Sequence, residues 1–516
     1  MSTAAAPAKV DQGAARASAG RGLLSITGAK LYFIVVGYIM QLALPRLLGS
    51  PEDFGLYASA MNVVSILNNV LIAATLQTVS KHVSADLEHA DATLRQGLLL
   101  QLGVGAFFGG GLFALAPWLS GSLLHDTLLT PLLRVSSVVV VSYALYAALI
   151  GALNGRQHFV KQAGLDVSYS TLRTGLTLGA AALGFGVAGA MTGFAMAAVA
   201  VLTIALLVVG VGKPGPRIPW KRWLAFMGPL WLYQLCLNLV LQVDLSVLKG
   251  GAAALAHDAG VSAVAAAEHA SRLAGFYRAA QTFAFVPYQL ILSVTFVVFP
   301  MVSQAVSLGD EEATRRYIRA AMRFSLMVLL AVAAPIAGAS AGVMRVAYPG
   351  AYLAGADALA ILSIGVVAFA LFVIGSTILS GAGQPGLPAM LGVVTVGLVV
   401  GSDMLLLRMA GPGEASLRAV ATGTALSMGV ALLGVAAALQ LRFGAFLSLA
   451  SGVRLLGSGA VGFFVARLVP STGALLALVA LAAGGLAYIA ALFVSRELGR
   501  ADLEPVFAMV RRRRGG

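Results

Sequence analysis

Charge is scarce in this 516-residue chain: only 10% of its residues are Asp, Glu, Lys or Arg. Soluble globular domains carry about 25%, so the shortage excludes a soluble enzyme and points to a polytopic membrane protein. Cysteine is almost missing. The single one, Cys236, lies in an apolar run and rules out an internal disulfide framework. The six histidines are scattered without metal-ligand spacing, so neither a metal site nor a cofactor is expected. Nucleotide-binding loops are lacking too. "GFGVAG" (184–189) fits a glycine-rich dinucleotide pattern, but it lies between two apolar helices with no preceding strand and no suitably spaced acid. In "GVGKPGPR" (210–217), Pro214 stands where a phosphate-binding loop needs Ser or Thr.

What is present is apolar: 59% of the residues are hydrophobic, and 60 glycines suit close helix packing in lipid. A bilayer core about 30 Å thick needs roughly 20 apolar residues per helix, and such runs follow one another along the chain. Polar breaks and turn residues divide them into fourteen candidate spans: 23–48, 54–80, 95–119, 131–153, 163–183, 186–210, 224–248, 273–305, 318–343, 356–381, 387–409, 416–440, 449–469 and 472–495. Residues 1–22 are small, polar and basic and read as a disordered cytoplasmic tail, and 497–516, with "RRRR" at 511–514, as a basic cytoplasmic tail. The apolar run after the first tail exceeds the roughly 7–15 residues of a signal-peptide core, so the first span is expected to be retained.

The net charge is +14. Most lysines and arginines fall on the segments that are inner if the N-terminus is inside, which sets both termini in the cytoplasm. The positive charge is therefore topological, with some contact to anionic lipid, and a nucleic-acid partner is not expected.

An internal repeat is visible. "FGLYASAMNVVSILNNVLIAATLQTVSKHV" (54–83) lies against "AGFYRAAQTFAFVPYQLILSVTFVVFPMVSQAV" (274–306). Both begin Gly-x-Tyr (Gly55/Tyr57, Gly275/Tyr277), end in Val-Ser plus a polar residue, and enter an acidic loop. About a hundred residues on, "LIGALNGRQ" (149–157) and "ILSGAGQ" (378–384) close the fourth and tenth spans alike. Both copies start at an even-numbered span, so the repeat is parallel. Repeat-built transporters place their substrate site near the midplane between the halves.

With these motifs in view, the chain resembles the multidrug/oligosaccharidyl-lipid/polysaccharide exporter superfamily, and within it the polysaccharide-biosynthesis branch of O-antigen-type oligosaccharide flippases. The stretches that carry the likeness are an apolar first span with a cation, "LPRLLGSPEDFGLYASAMNVVSIL", "GALNGRQ" and "GFYRAAQ". The resemblance implies an all-α membrane fold of about fourteen transmembrane helices. Two six-helix lobes, 23–212 and 213–442, would form a V around a central cavity, with two further helices in 443–496. It also implies a transporter rather than an enzyme, which moves an undecaprenyl-diphosphate-linked oligosaccharide from the inner to the outer leaflet of the bacterial cytoplasmic membrane by alternating access. Its partners would be that lipid-diphosphate oligosaccharide, membrane lipids, a coupling ion (H+ or Na+) and other polysaccharide-assembly proteins. The chain departs from the pattern in the near-absence of charge in the second-lobe helices after Asp244, which leaves the coupling ion open.

Such a headgroup needs cations for its phosphates and amides or hydroxyls for its sugars. At helical spacing the first span aligns Thr27, Lys30, Gly37 and Gln41. A lysine at a span centre costs roughly 2.5–3.5 kcal/mol. The second span aligns Asn62, Ser65, Asn69 and Ser80, with Asn68 pointing elsewhere. The fifth carries Asp166, Tyr169, Ser170, Arg173 and Thr177, the seventh Gln234, Asn238 and Gln242, and the eighth Arg278, Thr282, Phe285 and Gln289, with Pro287 allowing a bend. The candidate substrate contacts are Lys30, Gln41, Asn62, Asn69, Arg173, Gln234, Asn238 and Arg278, and the candidate ion-coupling residue is Asp244. Each has a structural alternative. Lys30 snorkels to the inner surface, Arg173 braces Asp166, Arg278 anchors an outer boundary, the amides bond helix to helix, and Asp244 is a solvated helix-end acid.

Other function classes stay open. A lipid II flippase or a cation-coupled multidrug efflux carrier would share the fold, although a carrier of organic cations would want intramembrane carboxylates. A polytopic glycosyltransferase or ligase would need catalytic outer loops. The only sizeable one expected, 250–271, is Ala-rich with Asp258 and Glu268.

Overall fold

The computed structural model describes residues 12–384 and 386–498; for residues 12–24 and 292–300 only the backbone is described. The first eleven residues of the expected tail 1–22, and the expected basic tail from residue 499 onward, lie outside the described residues. Every regular element among the described residues is helical. The first seven helices are α1 (Gln12–Leu48), α2 (Pro51–Ala85), α3 (Ala90–Trp118), α4 (Leu129–Gly155), α5 (Phe159–Ala182), α6 (Gly186–Val209) and α7 (Trp220–Asp258). Then come α8 (Ala263–Ala284), α9 (Val286–Ser307), α10 (Glu311–Gly338), α11 (Ser340–Ala347), α12 (Ala356–Gly381), α13 (Gly386–Ala410), α14 (Ala415–Phe443), α15 (Leu449–Leu468) and α16 (Ala474–Val494).

Among the described residues, twelve helices are long and apolar enough to cross a membrane. The other two expected spans correspond to α5, which carries Lys161, Asp166 and Arg173, and to the α8–α9 pair. There the expected span 273–305 is divided at Phe285, because Pro287 opens the next helix and cannot continue a hydrogen-bonded turn. The second copy of the repeat is thus broken where the first, inside α2, is continuous.

One expectation is overturned. The outer loop 250–271 is almost wholly helical, because α7 runs on to Asp258 and α8 begins at Ala263. Its alanines, read as loop filler, are the strongest helix formers, and Ser262 caps α8 by accepting the Ala265 amide. At 1.5 Å per residue the 39 residues of α7 span about 58 Å, well beyond the bilayer core.

The described chain divides into two compact units. Unit 1 holds the residues up to Leu48, Val63–Leu119 and Leu128–Leu235; unit 2 holds Gly49–Asn62, Ser120–Thr127 and the residues from Cys236 on. In unit 1, glycines let backbones approach: a Cβ at Gly105 or Gly109 of α3 would press on Val141 of α4, and one at Gly151 or Gly155 of α4 on Val79 or Val83 of α2. Such small-residue contacts drive association where lipid supplies no hydrophobic force. In unit 2, α12 runs through the core, with Phe369 and Ile374 packed among Leu329 of α10, Val399 of α13 and Val435 of α14, all fully buried.

Candidate functional site

Helices α1, α2, α4 and α5 enclose a cavity of about 310 Å³ within unit 1. α1 supplies Ala29, Lys30 and Phe33, and α2 supplies Asn69, Ile72 and Leu76. α4 contributes Tyr143, Tyr146, Ala147 and Ile150, and α5 contributes Asp166, Tyr169 and Arg173. The α5 residues sit three and four positions apart, which keeps them on one helix face. Three of the eight predicted substrate residues, Lys30, Asn69 and Arg173, meet here. Lys30 and Asn69 are exposed and Arg173 is half-buried.

Tyr169 is the hub of an aromatic wall. Phe33 stacks on it at 5.9 Å, Tyr143 meets it edge-on at 5.3 Å, and Tyr146 lies 6.1 Å away. The Arg173 guanidinium lies 5.0 Å from the Phe194 ring of α6 and its Nη1 donates to the Tyr169 hydroxyl at 3.4 Å. Cation–π and hydrogen-bonding contacts together fix the fork. The Lys30 charge acts on the Asp166 carboxylate. Two cations, one acid, an amide and aromatic faces make a net positive pocket suited to phosphate oxygens beside a ring-shaped, hydroxylated group.

The other predicted residues do not line this cavity. Gln41 is half-buried on α1 and Gln234 half-buried on α7. Asn62 is buried and clips α2 to α7: it donates to the Gln242 carbonyl at 2.9 Å and accepts from Ser246 at 3.0 Å. Asn238 accepts from Gln242 at 3.3 Å. Arg278 is half-buried on α8 and donates to Gln281 at 3.5 Å.

Asp244 is no solvated helix-end acid. It is 1% exposed, inside α7, and accepts from the Tyr277 hydroxyl at 2.8 Å and from Gln281 Nε2 at 3.0 Å. Nor do the later helices lack charge. Asp403 on α13 is fully buried, accepts from Thr424 of α14 at 3.1 Å, and together with Asp244 acts electrostatically on Tyr277. The signal for Asp403 was in the sequence: an acid inside an apolar run, the same anomaly that singles out Lys30.

Lys249 is wholly buried within α7. Its Nζ donates to Asp126 and to the Ala267 carbonyl, both at 2.7 Å, and to Ser271. All three ammonium protons are thereby used.

The fold is similar to that of the lipid II flippase MurJ in an inward closed conformation, with a TM-score of 0.72 at 14% identity over 92% of this chain and 99% of that one. It is also similar to an inward-facing multidrug resistance MATE family transporter of the MOP superfamily (TM-score 0.64, 18% identity, 79% and 94% covered). A MOP superfamily transporter from Pyrococcus furiosus gives 0.59 at 18% identity over 83% and 96%. At these identities the likeness speaks to the fold alone. Residues 43–248 match the family described as polysaccharide biosynthesis protein. That match and the shared fold support the exporter superfamily to which the N-terminal motifs point. No curated protein matches the chain.

Proposed function

We propose that the chain is a flippase that carries an undecaprenyl-diphosphate-linked oligosaccharide from the inner to the outer leaflet of the bacterial cytoplasmic membrane by alternating access, for envelope polysaccharide biosynthesis. Both termini lie in the cytoplasm in this reading. Its lobes are 23–212 and 213–442, followed by two helices in 443–496. The observation that carries it is the convergence of Lys30, Asn69 and Arg173 on one tyrosine-walled cavity. Lys30 and Arg173 engage the diphosphate, Asn69 and the tyrosine hydroxyls bond sugar, and the aromatic faces stack against it. Asp166 neutralises part of the charge, so that the anion is held weakly enough to be released. Asp244, with Asp403, forms the coupling site for H+ or Na+.

The positive balance of the cavity disfavours a carrier of organic cations. A lipid II flippase is the second reading, favoured by the near-full-length likeness to MurJ; its cargo would also be a lipid-linked anion.

The test is complementation in the source bacterium. Lys30→Ala and Arg173→Ala variants are expected to accumulate normally and to reduce surface polysaccharide about tenfold or more, the scale of one lost charged hydrogen bond. Normal export by both variants refutes the cationic-cavity reading. Lysis on depletion, with arrested peptidoglycan synthesis and surface polysaccharide unaffected, selects the lipid II reading instead.

A further inference from the structure

The segment that joins α6 to α7, "VGKPGPRIPWKRW" (211–223), is cationic, stiff and fastened down. Lys213, Arg217, Lys221 and Arg222 are all exposed, and no acid interrupts them. Pro214, Pro216 and Pro219 fix φ along the stretch, which lowers the entropy lost when the cations are engaged. The Gln96 side chain of α3 grips the Ile218 backbone from both sides: its Oε1 accepts the Ile218 amide at 2.9 Å and its Nε2 donates to the Ile218 carbonyl. Gly212, at φ +73°, lies so close to the Asp91 carbonyl that no Cβ fits.

The surroundings reinforce the charge. Exposed Arg95 flanks Gly212, and Lys81 sits 3.6 Å over the Phe226 ring. Lys81 and Arg222 both bear electrostatically on the buried His82, whose ring packs 4.6 Å from Trp223. Of the acids in the α2–α3 turn, Asp91 is held by Arg156 and Asp86 by His89, which leaves Glu88. Beside the cations, Trp220 is 47% and Leu224 50% exposed. The segment lies between two helices long enough to cross a membrane, α6 and α7. It is therefore set at the lipid–water boundary, where tryptophan is enriched and basic residues attract anionic headgroups.

We infer that this strap is a binding site for anionic phospholipid: the headgroup phosphate lies among Lys213, Arg217 and Lys221 while Trp220 and Leu224 enter the acyl boundary. The occupant is a lipid rather than free phosphate, because the apolar anchors are exposed side by side with the cations. Gln96 and the prolines hold the cations in a fixed array.

The experiment uses the full chain purified in detergent and titrated with phosphatidylglycerol, with phosphatidylcholine, or with inorganic phosphate, bound lipid being counted by native mass spectrometry. Wild type is expected to bind phosphatidylglycerol about tenfold or more tightly than phosphatidylcholine. The variant K213Q/R217Q/K221Q is expected to lose that preference, and a charge-matched variant at exposed arginines elsewhere, R316Q/R442Q/R496Q, to keep it. Equal losses in the two triple variants, or displacement of the lipid by millimolar phosphate, overturns the assignment.

Discussion

Gly55 and Gly275, the first residues of the two repeated Gly-x-Tyr motifs, lie against each other in unit 2. A Cβ on Gly55 would come 2.7 Å from the Gly275 amide nitrogen, and one on Gly275 would come 3.2 Å from that of Gly55. The two motif glycines therefore meet backbone to backbone, and each position requires glycine because the facing helix leaves no room, its nearest atoms being the Ser271 carbonyl against Gly55 and the Pro51 carbonyl against Gly275. Either Gly→Ala change is expected to destabilise the protein by about 1–3 kcal/mol, the usual cost of overpacking. The check is the thermal midpoint of the purified protein, and an unchanged midpoint would mean that this contact carries no strain.

In the cavity, Tyr169→Phe keeps the ring and removes the hydroxyl that receives Arg173; Tyr169→Ala removes both. Export is expected to be mildly reduced by the first change and to fall about tenfold by the second, because aromatic pairs are worth about 0.5–1.5 kcal/mol each and several converge on Tyr169. Surface polysaccharide measured at equal protein levels separates the two. Equal effects would shift the role from ring to hydroxyl.

Asp126 and Lys249 form a fully buried ion pair. Lys249→Met alone leaves a buried carboxylate without its cation and is expected to cost about 3–5 kcal/mol, whereas adding Asp126→Leu is expected to recover most of that. Thermal unfolding of the three variants tests this. If the double variant is no better than Lys249→Met, the pair is held for some purpose other than packing.

Glu497, beyond the end of α16, ties the chain back to earlier helices: Arg323 of α10 donates to it at 2.7 Å and Arg454 of α15 lies 3.7 Å away. Burial opposes its charge, but hydrogen bonds from Ser451 and Arg323 and the charges of Arg323 and Arg454 outweigh this and hold its carboxyl below the usual carboxylate range. A depressed folded-state pKa stabilises above the unfolded value, about 4.3 for glutamate, and that stability is lost as pH falls through the folded value. Glu497→Gln is therefore expected to lower the midpoint at pH 7 and to match wild type once the pH is low enough to protonate the wild-type residue. A deficit that persists at low pH would point to shape rather than charge.

Hydrophobic run length carried most of the helix map, because a bilayer admits few solutions other than helices of about 20 residues. The expected spans 186–210, 387–409, 416–440 and 449–469 lie within three residues of α6, α13, α14 and α15 at either end. Run length was silent where composition was ambiguous. The alanines of 250–271 read as a loop although they prolong α7 and open α8, and a helix that projects beyond the bilayer leaves no hydropathy signal.

The sequence by itself determined the all-helical membrane class and the stripe on α5, because burial in lipid and helical periodicity act locally along the chain. Which polar residues share a cavity was decided only by tertiary structure. Lys30, Asn69 and Arg173 come from three helices, and no local rule distinguishes them from Asn62, which spends its amide on a helix–helix clip. The same holds for Asp244 and Asp403. They are 159 positions apart in the chain, and only the packing of α7, α8, α13 and α14 brings both to bear on Tyr277.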